Sequence, residues 1–258
     1  MKILVTGGAG FIGSHLSDYL LKQDYQVTVI DNLSTGNLDN IKHLENTPNF
    51  RFVVDDIRNV TITDRFVSDC DIIFHMAAVV GVHKIIEEPI NTIETNIGGT
   101  EVLLKAARRY RKKVMLASTS EVYGKGVSFP FKEDDDSLLG PTSKSRWSYA
   151  TSKAIDEFLA LAYHYEVDLP VVLFRLFNTI GPRQTGQYGM VVPRFVQWAL
   201  KNEPIMVYGD GGQSRSFGNV HDIVDAIYRL SLSEQAVGEL YNIGNNQEIT
   251  ILELAQLV

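Results

Sequence analysis

The stretch Thr6–Gly13 reads TGGAGFIG, and it lies between an apolar run at Lys2–Thr6 and a segment of helical period at Ile12–Lys22. An apolar run, closely spaced glycines and then a helix are typical of the first strand, turn and helix of a dinucleotide-binding fold. The glycines are needed because the backbone approaches a pyrophosphate at the helix N-terminus. Taken alone, the same glycines also fit a tight turn without a ligand, so the rest of the chain has to decide.

Short runs rich in valine and isoleucine recur as far as Arg175, and segments of helical period alternate with them. This alternation predicts an α/β fold of Rossmann type, a doubly wound parallel sheet covered by helices on both faces. The predicted strands are Lys2–Thr6, Gln26–Ile30, Arg51–Val54, Asp71–His75, Val114–Ser118 and Pro170–Arg175, and the main predicted helices are Ile12–Lys22, Gly98–Arg109 and Tyr149–Tyr165.

After Gly181-Pro182 the alternation gives way to longer polar loops and isolated amphipathic pieces. Such a change predicts a second, smaller lobe. We therefore divide the chain into residues 1–182, which hold the predicted sheet, and a C-terminal lobe of residues 183–258.

Composition excludes several classes of protein. The chain has 258 residues, 45% of them hydrophobic, which is enough for a large core, and its net charge of −7 is expected to repel nucleic acid. The single cysteine, Cys70, excludes a disulfide framework and a cysteine-based zinc site, and it suits a reducing compartment. No apolar run reaches the roughly 18 residues of a membrane span, and the N-terminus lacks the apolar region of a signal peptide. We expect a soluble cytoplasmic protein without a nucleic acid or membrane partner.

Two acidic residues follow predicted strands. Asp31 ends the second one, where a carboxylate accepts both ribose hydroxyls of adenosine and repels a 2′-phosphate, so the expected cofactor is NAD rather than NADP. Asp56 follows the third one and fits two interpretations equally well, a contact with the adenine amino group or a turn cap.

A phenol and an ammonium group lie four residues apart, at Tyr149 and Lys153, and therefore share one helix face. A nearby lysine charge favours the phenolate, which makes Tyr149 a candidate base, although this spacing is also common in surface pairs. The hydroxyls of Ser118, Thr119 and Ser120 follow a predicted strand, at the sheet edge where open α/β proteins bind ligands.

Together these motifs resemble the extended short-chain dehydrogenase/reductase family, specifically its NAD-dependent nucleotide-sugar epimerases, dehydratases and decarboxylases. The resemblance covers essentially the whole chain, and several motifs in the correct order are more specific than any one of them. Besides the glycines and the Tyr149/Lys153 pair, the matching motifs are Asp31-Asn32-Leu33-Ser34, His75-Met76-Ala77-Ala78, Asn96 before Gly99-Thr100, Val122-Tyr123-Gly124, and Arg175 through Phe177-Asn178 to Gly181-Pro182-Arg183.

The resemblance implies a role for each matching residue. Tyr149 is the expected base, Lys153 holds the nicotinamide ribose, Thr119 binds the sugar 4-hydroxyl, and Glu121 is the fourth expected catalytic residue. The implied cofactor contacts are Gly7, Gly10, Phe11, Ile12, Gly13, Asp31, Asn32, Ser34, Asp56, Ile57, Ala77, Asn96, Ser118, Tyr149 and Lys153. The implied contacts with the nucleotide sugar are Ser120, Asn178, Arg183, Arg194, Tyr208 and Arg215, of which Arg215 is the first choice for the phosphates. For Arg183 and Arg194 a solvated side chain fits equally well.

The implied chemistry begins when the Tyr149 phenolate removes the 4-hydroxyl proton and the hydrogen on carbon 4 leaves as hydride to NAD. The 4-keto sugar then has three redox-neutral routes: epimerisation at carbon 4, loss of water across carbons 5 and 6, or loss of carbon dioxide from carbon 6. The fold does not choose among them. Thr119-Ser120-Glu121 resembles UDP-glucuronate decarboxylases, so decarboxylation of a UDP-linked sugar is the leading expectation.

Other features favour or oppose this choice. Gly140-Pro141, Arg146-Trp147 and the final stretch 249–258 also resemble decarboxylases, whereas the residue before Lys153 is not the glycine that some of them have. A 4-epimerase acting on UDP-glucose or UDP-glucuronate and a 4,6-dehydratase remain alternatives. A non-catalytic NAD-binding protein is the alternative from another class, and the intact Thr119, Tyr149 and Lys153 argue against it.

The resemblance carries two further expectations. The family continues for several dozen residues past the helix predicted near Thr250, so we expect the lobe of residues 183–258 to be incomplete at its C-terminus. A homodimer is expected through the helices Gly98–Arg109 and Tyr149–Tyr165, although their apolar faces also fit packing against the sheet. The histidines show no metal-ligand spacing, so no metal is expected.

Overall fold

The computed structural model describes residues 1–126, 129–186 and 190–258, and within them all side chains except those of residues 82–84. The described strands are β1 (Lys2–Thr6), β2 (Gln26–Asp31), β3 (Phe50–Val54), β4 (Ile72–His75), β5 (Lys113–Thr119), β6 (Val171–Leu176), β7 (Thr179–Ile180), β8 (Ser214–Ser216), β9 (Gly218–Asn219), β10 (Leu240–Ile243) and β11 (Glu248–Thr250). The described helices are α1 (Phe11–Lys22), α2 (Val60–Ser68), α3 (Val82–Glu87), α4 (Pro89–Tyr110), α5 (Ser148–Val167), α6 (Val191–Leu200), α7 (Val220–Leu232) and α8 (Ile251–Leu257).

A seven-stranded sheet with the order β10-β6-β5-β4-β1-β2-β3 forms the centre of the molecule. All of its neighbouring strands run parallel. The strand order reverses direction between β1 and β4, which is the arrangement of a doubly wound sheet. The predicted α/β class and all six predicted strands are therefore confirmed, each end within one residue of its expected position.

The two faces of the sheet bury separate apolar cores. On one face, α1 and α7 pack against the strands through residues such as Leu16 and Ile227. On the other face, α2, α4 and α5 cover the strands through residues such as Leu103 and Ala160. A parallel sheet requires this double cover because its strands are apolar on both sides.

Helix α4 is longer than the segment predicted for it, since it begins at Pro89 instead of Gly98. The pair Gly98-Gly99, which has low helix propensity, concealed the continuous helix. Gly99 has a packing reason, because a Cβ atom there would lie 2.6 Å from Cγ2 of Ile57. Pro89 occupies the first turn, where proline is a favoured start signal.

The division into residues 1–182 and 183–258 stays a prediction, and the structure adds how the later part packs. Strand β10 pairs with β6 in the main sheet, and α7 belongs to the core around α1. A smaller apolar cluster, built on Phe195, Ile251 and Leu254, joins α6 to α8. None of the helices in the described ranges has the length and apolar character that crossing a bilayer requires.

Candidate active site

A cavity of about 820 Å³ lies along the carboxyl edge of the sheet. It follows the point where the strand order reverses, which is where open α/β sheets bind their ligands. Its size is that of a small-molecule site. One end is lined by the glycine turn after β1, the middle by the ends of β5 and α5, and the far end by residues of the later segment.

The glycine turn is built for close approach of backbone. Gly7 has φ +70°, and a Cβ atom there would lie 2.7 Å from the backbone of Ala77. Gly10 is the N-cap of α1 and offers no side chain to the helix N–H groups. The N-terminus of α1 therefore presents free donors and the positive end of the helix dipole to the cavity, which fits a dinucleotide pyrophosphate.

Asp31 lies at the end of β2 and connects the glycine turn to the next loop. Its two carboxylate oxygens accept hydrogen bonds from the backbone N–H groups of Ala9 at 3.0 Å and Leu33 at 2.8 Å. Burial raises the pKa of this carboxyl, whereas the two N–H donors lower it. Each oxygen retains a lone pair for a further donor, so the residue suits ribose hydroxyls and opposes a phosphate.

Asn32 and Ile57 line the same end of the cavity, but Asp56 does not. The Asp56 carboxylate accepts from Nε and Nη2 of Arg58 at 2.9 and 2.8 Å and from Nδ2 of Asn32 at 3.0 Å. The hydrogen bond from Arg58 is the main reason that the pKa of Asp56 falls to about 2. The structure thus shows Asp56 stabilising the loop after β3 through Arg58 and Asn32. A contact between Asp56 and adenine stays a prediction.

Tyr149 and Lys153 lie on α5, and both line the cavity beside Thr119 and Glu121. Burial raises the pKa of the Tyr149 phenol above its usual range, the Glu121 charge raises it further, and the Thr119 hydroxyl lowers it. Burial also raises the pKa of Glu121, against the effect of Arg146. Two acids with raised pKa values therefore lie side by side, as in sites that move protons.

Lys153 does not pair with the phenol in this arrangement. Its Nζ donates to Oδ2 of Asp156 at 2.8 Å, and both side chains are almost fully buried. The Lys153 charge, which was expected to act on Tyr149, is compensated by Asp156. Its effect on the phenol stays a prediction. Asp156 was not among the expected residues, although its spacing of three places it on the same helix face.

Ser118 and Asn96 hold the walls of the site. Ser118 lines the cavity, and its hydroxyl donates to Glu157, which also accepts from Arg175. Asn96 does not line the cavity. Its Oδ1 accepts from the N–H of Val79 at 2.8 Å, and its Nδ2 donates to the hydroxyl of Ser152 at 3.0 Å. Asn96 therefore links the cavity wall to the helix that carries Tyr149, and its contact with the cofactor stays a prediction.

The far end of the cavity contains three arginines with different environments. Arg183 donates to Asp18 at 2.7 Å, so its charge is compensated. Arg194 lies over the ring of Trp198 at 5.0 Å, and Arg215 donates to the backbone oxygen of Ser214 at 2.7 Å. Within the described part of the chain neither of these two forms an ion pair, which leaves two positive charges for an anionic ligand.

The other expected residues are also brought to the cavity. Those that line it are Gly7, Gly10, Phe11, Ile12, Gly13, Ser34, Ala77, Ser120, Asn178 and Tyr208. Several side chains of the far end were not among the expected residues, because amide and apolar side chains carry no charge or reactive group that marks them as ligand contacts. They include Gln184, Trp198, Met206, Gln213 and Phe217.

The chain is similar to known enzymes over nearly its whole length. A family model described as "NAD dependent epimerase/dehydratase family" matches residues 3–244. The chain is 46% identical over 256 residues to UDP-N-acetyl-alpha-D-glucosaminuronate decarboxylase of Bacillus cytotoxicus, covering 99% of this chain and 78% of that protein. It is 40% identical over 258 residues to UDP-glucuronic acid decarboxylase 4 of Arabidopsis thaliana, covering all of this chain but 56% of that protein.

A solved structure agrees with this relationship. UDP-glucuronic acid 4-epimerase from Bacillus cereus, in complex with UDP-glucuronic acid and NAD, superposes with a TM-score of 0.87 at 34% identity, covering 98% of this chain and 80% of that one. The expected family, enzymatic nature and NAD cofactor are confirmed. The chain belongs to the NAD dependent epimerase/dehydratase family.

Proposed function

We propose that the protein decarboxylates a UDP-linked sugar that carries a carboxylate on carbon 6, with UDP-glucuronate as the first candidate substrate. The observation that carries the proposal is one cavity that joins Thr119, Glu121 and Tyr149 to two arginines, Arg194 and Arg215, without a carboxylate partner among the described residues. Support comes from the two decarboxylases to which the chain is 46% and 40% identical. The first of these names makes UDP-N-acetylglucosaminuronate the second candidate substrate.

The residues present fit NAD at one end of the cavity. The glycine turn and the N-terminus of α1 would hold the pyrophosphate, Asp31 the adenosine ribose, and Lys153 the nicotinamide ribose. When bound, NAD supplies an acceptor for the hydride of a secondary alcohol and returns that hydride later, so the overall reaction is redox-neutral.

Tyr149 is the group that moves the proton of the sugar 4-hydroxyl. Its phenol lies in the cavity wall with Thr119, whose hydroxyl lowers the pKa of the phenol and is available to hold the same sugar oxygen. Removing this proton raises the electron density on the oxygen and assists departure of the hydride from carbon 4. The burial of Tyr149, which is 6% exposed, keeps bulk water from competing for the proton.

Glu121 has the chemistry for the carbon 5 end of the reaction. A ketone at carbon 4 makes a carbon 6 carboxylate into a β-keto acid, in which the bond from carbon 5 to carbon 6 breaks and its electron pair passes into the enolate. Carbon 5 must then gain a proton. Burial raises the pKa of the Glu121 carboxyl, which favours the protonated form that can deliver this proton.

Arg194 and Arg215 are assigned to the diphosphate of the substrate. Guanidinium groups bind phosphate oxygens at two points, and neither charge is compensated by a carboxylate within the described residues. Arg183, which Asp18 compensates, contributes to the wall of the cavity.

Epimerisation at carbon 4 is the second candidate function. It is favoured by the similarity to the Bacillus cereus UDP-glucuronic acid 4-epimerase and uses the same first proton transfer from the 4-hydroxyl to Tyr149. It differs because carbon 6 stays in place. Dehydration across carbons 5 and 6 is the third route and removes water instead of carbon dioxide.

We also propose a cytoplasmic homodimer. Its support is the exposed apolar surface of α4 and α5, where Ile90 is 72% and Phe158 75% exposed. Such residues on adjacent helices are typical of an interface between subunits. The single cysteine, Cys70, is buried and free, so the described chain has no internal disulfide, which suits a reducing compartment.

Mass spectrometry of the products tests the proposed function. The protein is incubated with NAD and, separately, UDP-glucuronate, UDP-N-acetylglucosaminuronate and UDP-glucose. Loss of one carbon dioxide from either uronate supports decarboxylation, and the faster of the two is the substrate. A product of unchanged mass but shifted retention time would establish epimerisation instead, and loss of water would establish dehydration. The Tyr149→Phe variant is the control and is expected to leave each sugar unchanged.

A further inference from the structure

A line of buried polar groups runs beneath the cavity from the glycine turn to α5. The N–H of Ala77 donates to the hydroxyl of Thr6 at 3.3 Å, and this hydroxyl contacts Nδ1 of His75 at 2.8 Å. Nε2 of the same histidine contacts the hydroxyl of Thr100 at 3.0 Å. Thr6, His75 and Thr100 are at most 2% exposed, so none of these groups exchanges partners with water.

The line ends at the ion pair of α5. Burial raises the pKa of the Asp156 carboxyl, whereas Lys153 and the nearby Thr100 hydroxyl lower it. Nζ of Lys153 donates to Oδ2 of Asp156 at 2.8 Å. The Asp156 side chain is 0% exposed and its Oδ1 accepts no hydrogen bond from the described residues within normal geometry. Asp156 does not line the cavity, whereas Lys153 does.

The direction of each hydrogen bond follows from the ionised carboxylate. A carboxylate paired with the Lys153 ammonium only accepts, so the Thr100 hydroxyl orients its proton toward Asp156, without a hydrogen bond of normal geometry, and accepts from Nε2–H of His75. Burial and the charge of Lys153 lower the pKa of His75 to about 3, so the ring is neutral and has one N–H group. Nδ1 of His75 therefore accepts from Thr6. If Asp156 were protonated or absent, nothing would fix which group donates and which accepts along Thr6, His75 and Thr100.

A buried ammonium needs a partner, because moving an unpaired charge out of water is costly. Among the described residues, Asp156 is the carboxylate that contacts Lys153. The ammonium carries three donors, and the pair occupies one of them. The pair fixes the side chain in one direction and leaves donors for a ligand in the cavity.

We propose that Asp156 is a positioning residue, which holds the Lys153 side chain aimed at the nicotinamide ribose, and that Thr6, His75 and Thr100 fix Asp156 relative to the strand end before the glycine turn. The inference depends on the proposed function in one respect, the assignment of Lys153 to that ribose. It assigns no direct contact of Asp156 with cofactor or sugar.

Binding of NAD and of UDP, measured separately by calorimetry, tests the positioning role without turnover. Asp156→Asn is expected to weaken NAD binding about 10-fold, or about 1.4 kcal/mol, and to leave UDP binding unchanged within about twofold. Thr100→Val keeps the side-chain volume and is expected to weaken NAD binding by a smaller factor. The matched control is Glu101→Gln, which neutralises the exposed carboxylate paired with Lys105 on α4 and should change neither affinity.

A double-mutant cycle shows whether Asp156 acts through the lysine. In a Lys153→Met background, Asp156→Asn is expected to weaken NAD binding no further. Each single variant should melt about 5 to 10 °C below the wild type because it leaves one buried charge unpaired, and the double variant should melt above both. Equal losses in NAD and UDP binding, or additive losses in the cycle, would overturn the proposal. If the Asp156→Asn variant does not fold, the Thr100→Val variant tests the proposal through the same comparison of NAD binding with UDP binding.

These measurements also separate this inference from the proposed function. If the wild-type protein binds NAD and UDP but leaves every UDP-sugar unchanged, the proposed reaction is wrong. The ratio of affinities and the melting cycle still decide the role of Asp156.

Discussion

Arg175 and Glu157 form a buried two-point ion pair below the floor of the cavity. Nε and Nη2 of Arg175 donate to the two carboxylate oxygens of Glu157 at 3.0 and 2.7 Å. Glu157 also accepts from Ser118, and the guanidinium lies 4.5 Å from the ring centre of Tyr123. One carboxylate on α5 thus joins the ends of β5 and β6, the two strands that end beside Tyr149.

Replacing Glu157 by glutamine is therefore expected to destabilise the protein. The change leaves the Arg175 charge buried without compensation, and breaking one partner of such a pair costs about 3 to 5 kcal/mol. Denaturant unfolding measures the loss. Glu101→Gln, which neutralises the exposed pair with Lys105, is the control and should leave the midpoint nearly unchanged. Equal stability of the Glu157→Gln variant and the wild type would contradict the role given to this pair.

The glycine turn gives a prediction with its own matched control. Gly7→Ala places a Cβ atom 2.7 Å from the Ala77 backbone at a residue with φ +70°, so we expect loss of NAD binding together with lower stability. Gly98→Ala, within α4, meets no described atom within 4 Å and should raise stability by about 0.5 to 1 kcal/mol. Calorimetry measures NAD binding, and thermal unfolding measures the stability of both variants.

Cofactor selectivity depends on Asp31. Its carboxylate repels a 2′-phosphate, so Asp31→Asn is expected to lower the preference for NAD over NADP by about 10-fold, equal to 1.4 kcal/mol. The ratio of the two dissociation constants measures this change. Asp55→Asn, at another acidic residue of the cavity wall, serves as the comparison and should keep the preference. An unchanged ratio in Asp31→Asn would show that another group selects the cofactor.

The sequence predicted the fold so closely because the strands of a parallel sheet are short β-branched runs bounded by turns, and this pattern is local. The glycine turn and the Tyr149/Lys153 pair were found for the same reason. Strand β10 was not predicted, since it is a short, half-buried edge strand that contains a polar Asn242. The spacing of Lys153 and Asp156 places them on one helix face, but their burial could not be deduced, because it depends on elements distant in sequence.

The pH dependence of the first chemical step has a defined sign. Burial and, after it, the charge of Glu121 raise the pKa of the Tyr149 phenol, and the reaction needs the phenolate. The rate of NADH formation during a single turnover rises with pH as the phenol ionises. In a Glu121→Gln variant we expect this rise to begin at a lower pH than in the wild type. Stopped-flow absorbance at a series of pH values measures the shift. If the rate of the variant instead rises only at a higher pH than in the wild type, Glu121 assists ionisation of the phenol.

The three arginines at the far end of the cavity are expected to respond differently to truncation. Arg194→Ala and Arg215→Ala each remove a guanidinium that has no carboxylate partner among the described residues, so each should weaken UDP binding by about 1.5 to 3 kcal/mol, the worth of a charged hydrogen bond. Arg183→Ala instead leaves Asp18 without its arginine and should lower stability more than affinity. Calorimetry with UDP and thermal unfolding of all three variants separate the two outcomes. If Arg183→Ala weakens UDP binding most, the diphosphate lies closer to Asp18 than the charges of this cavity imply.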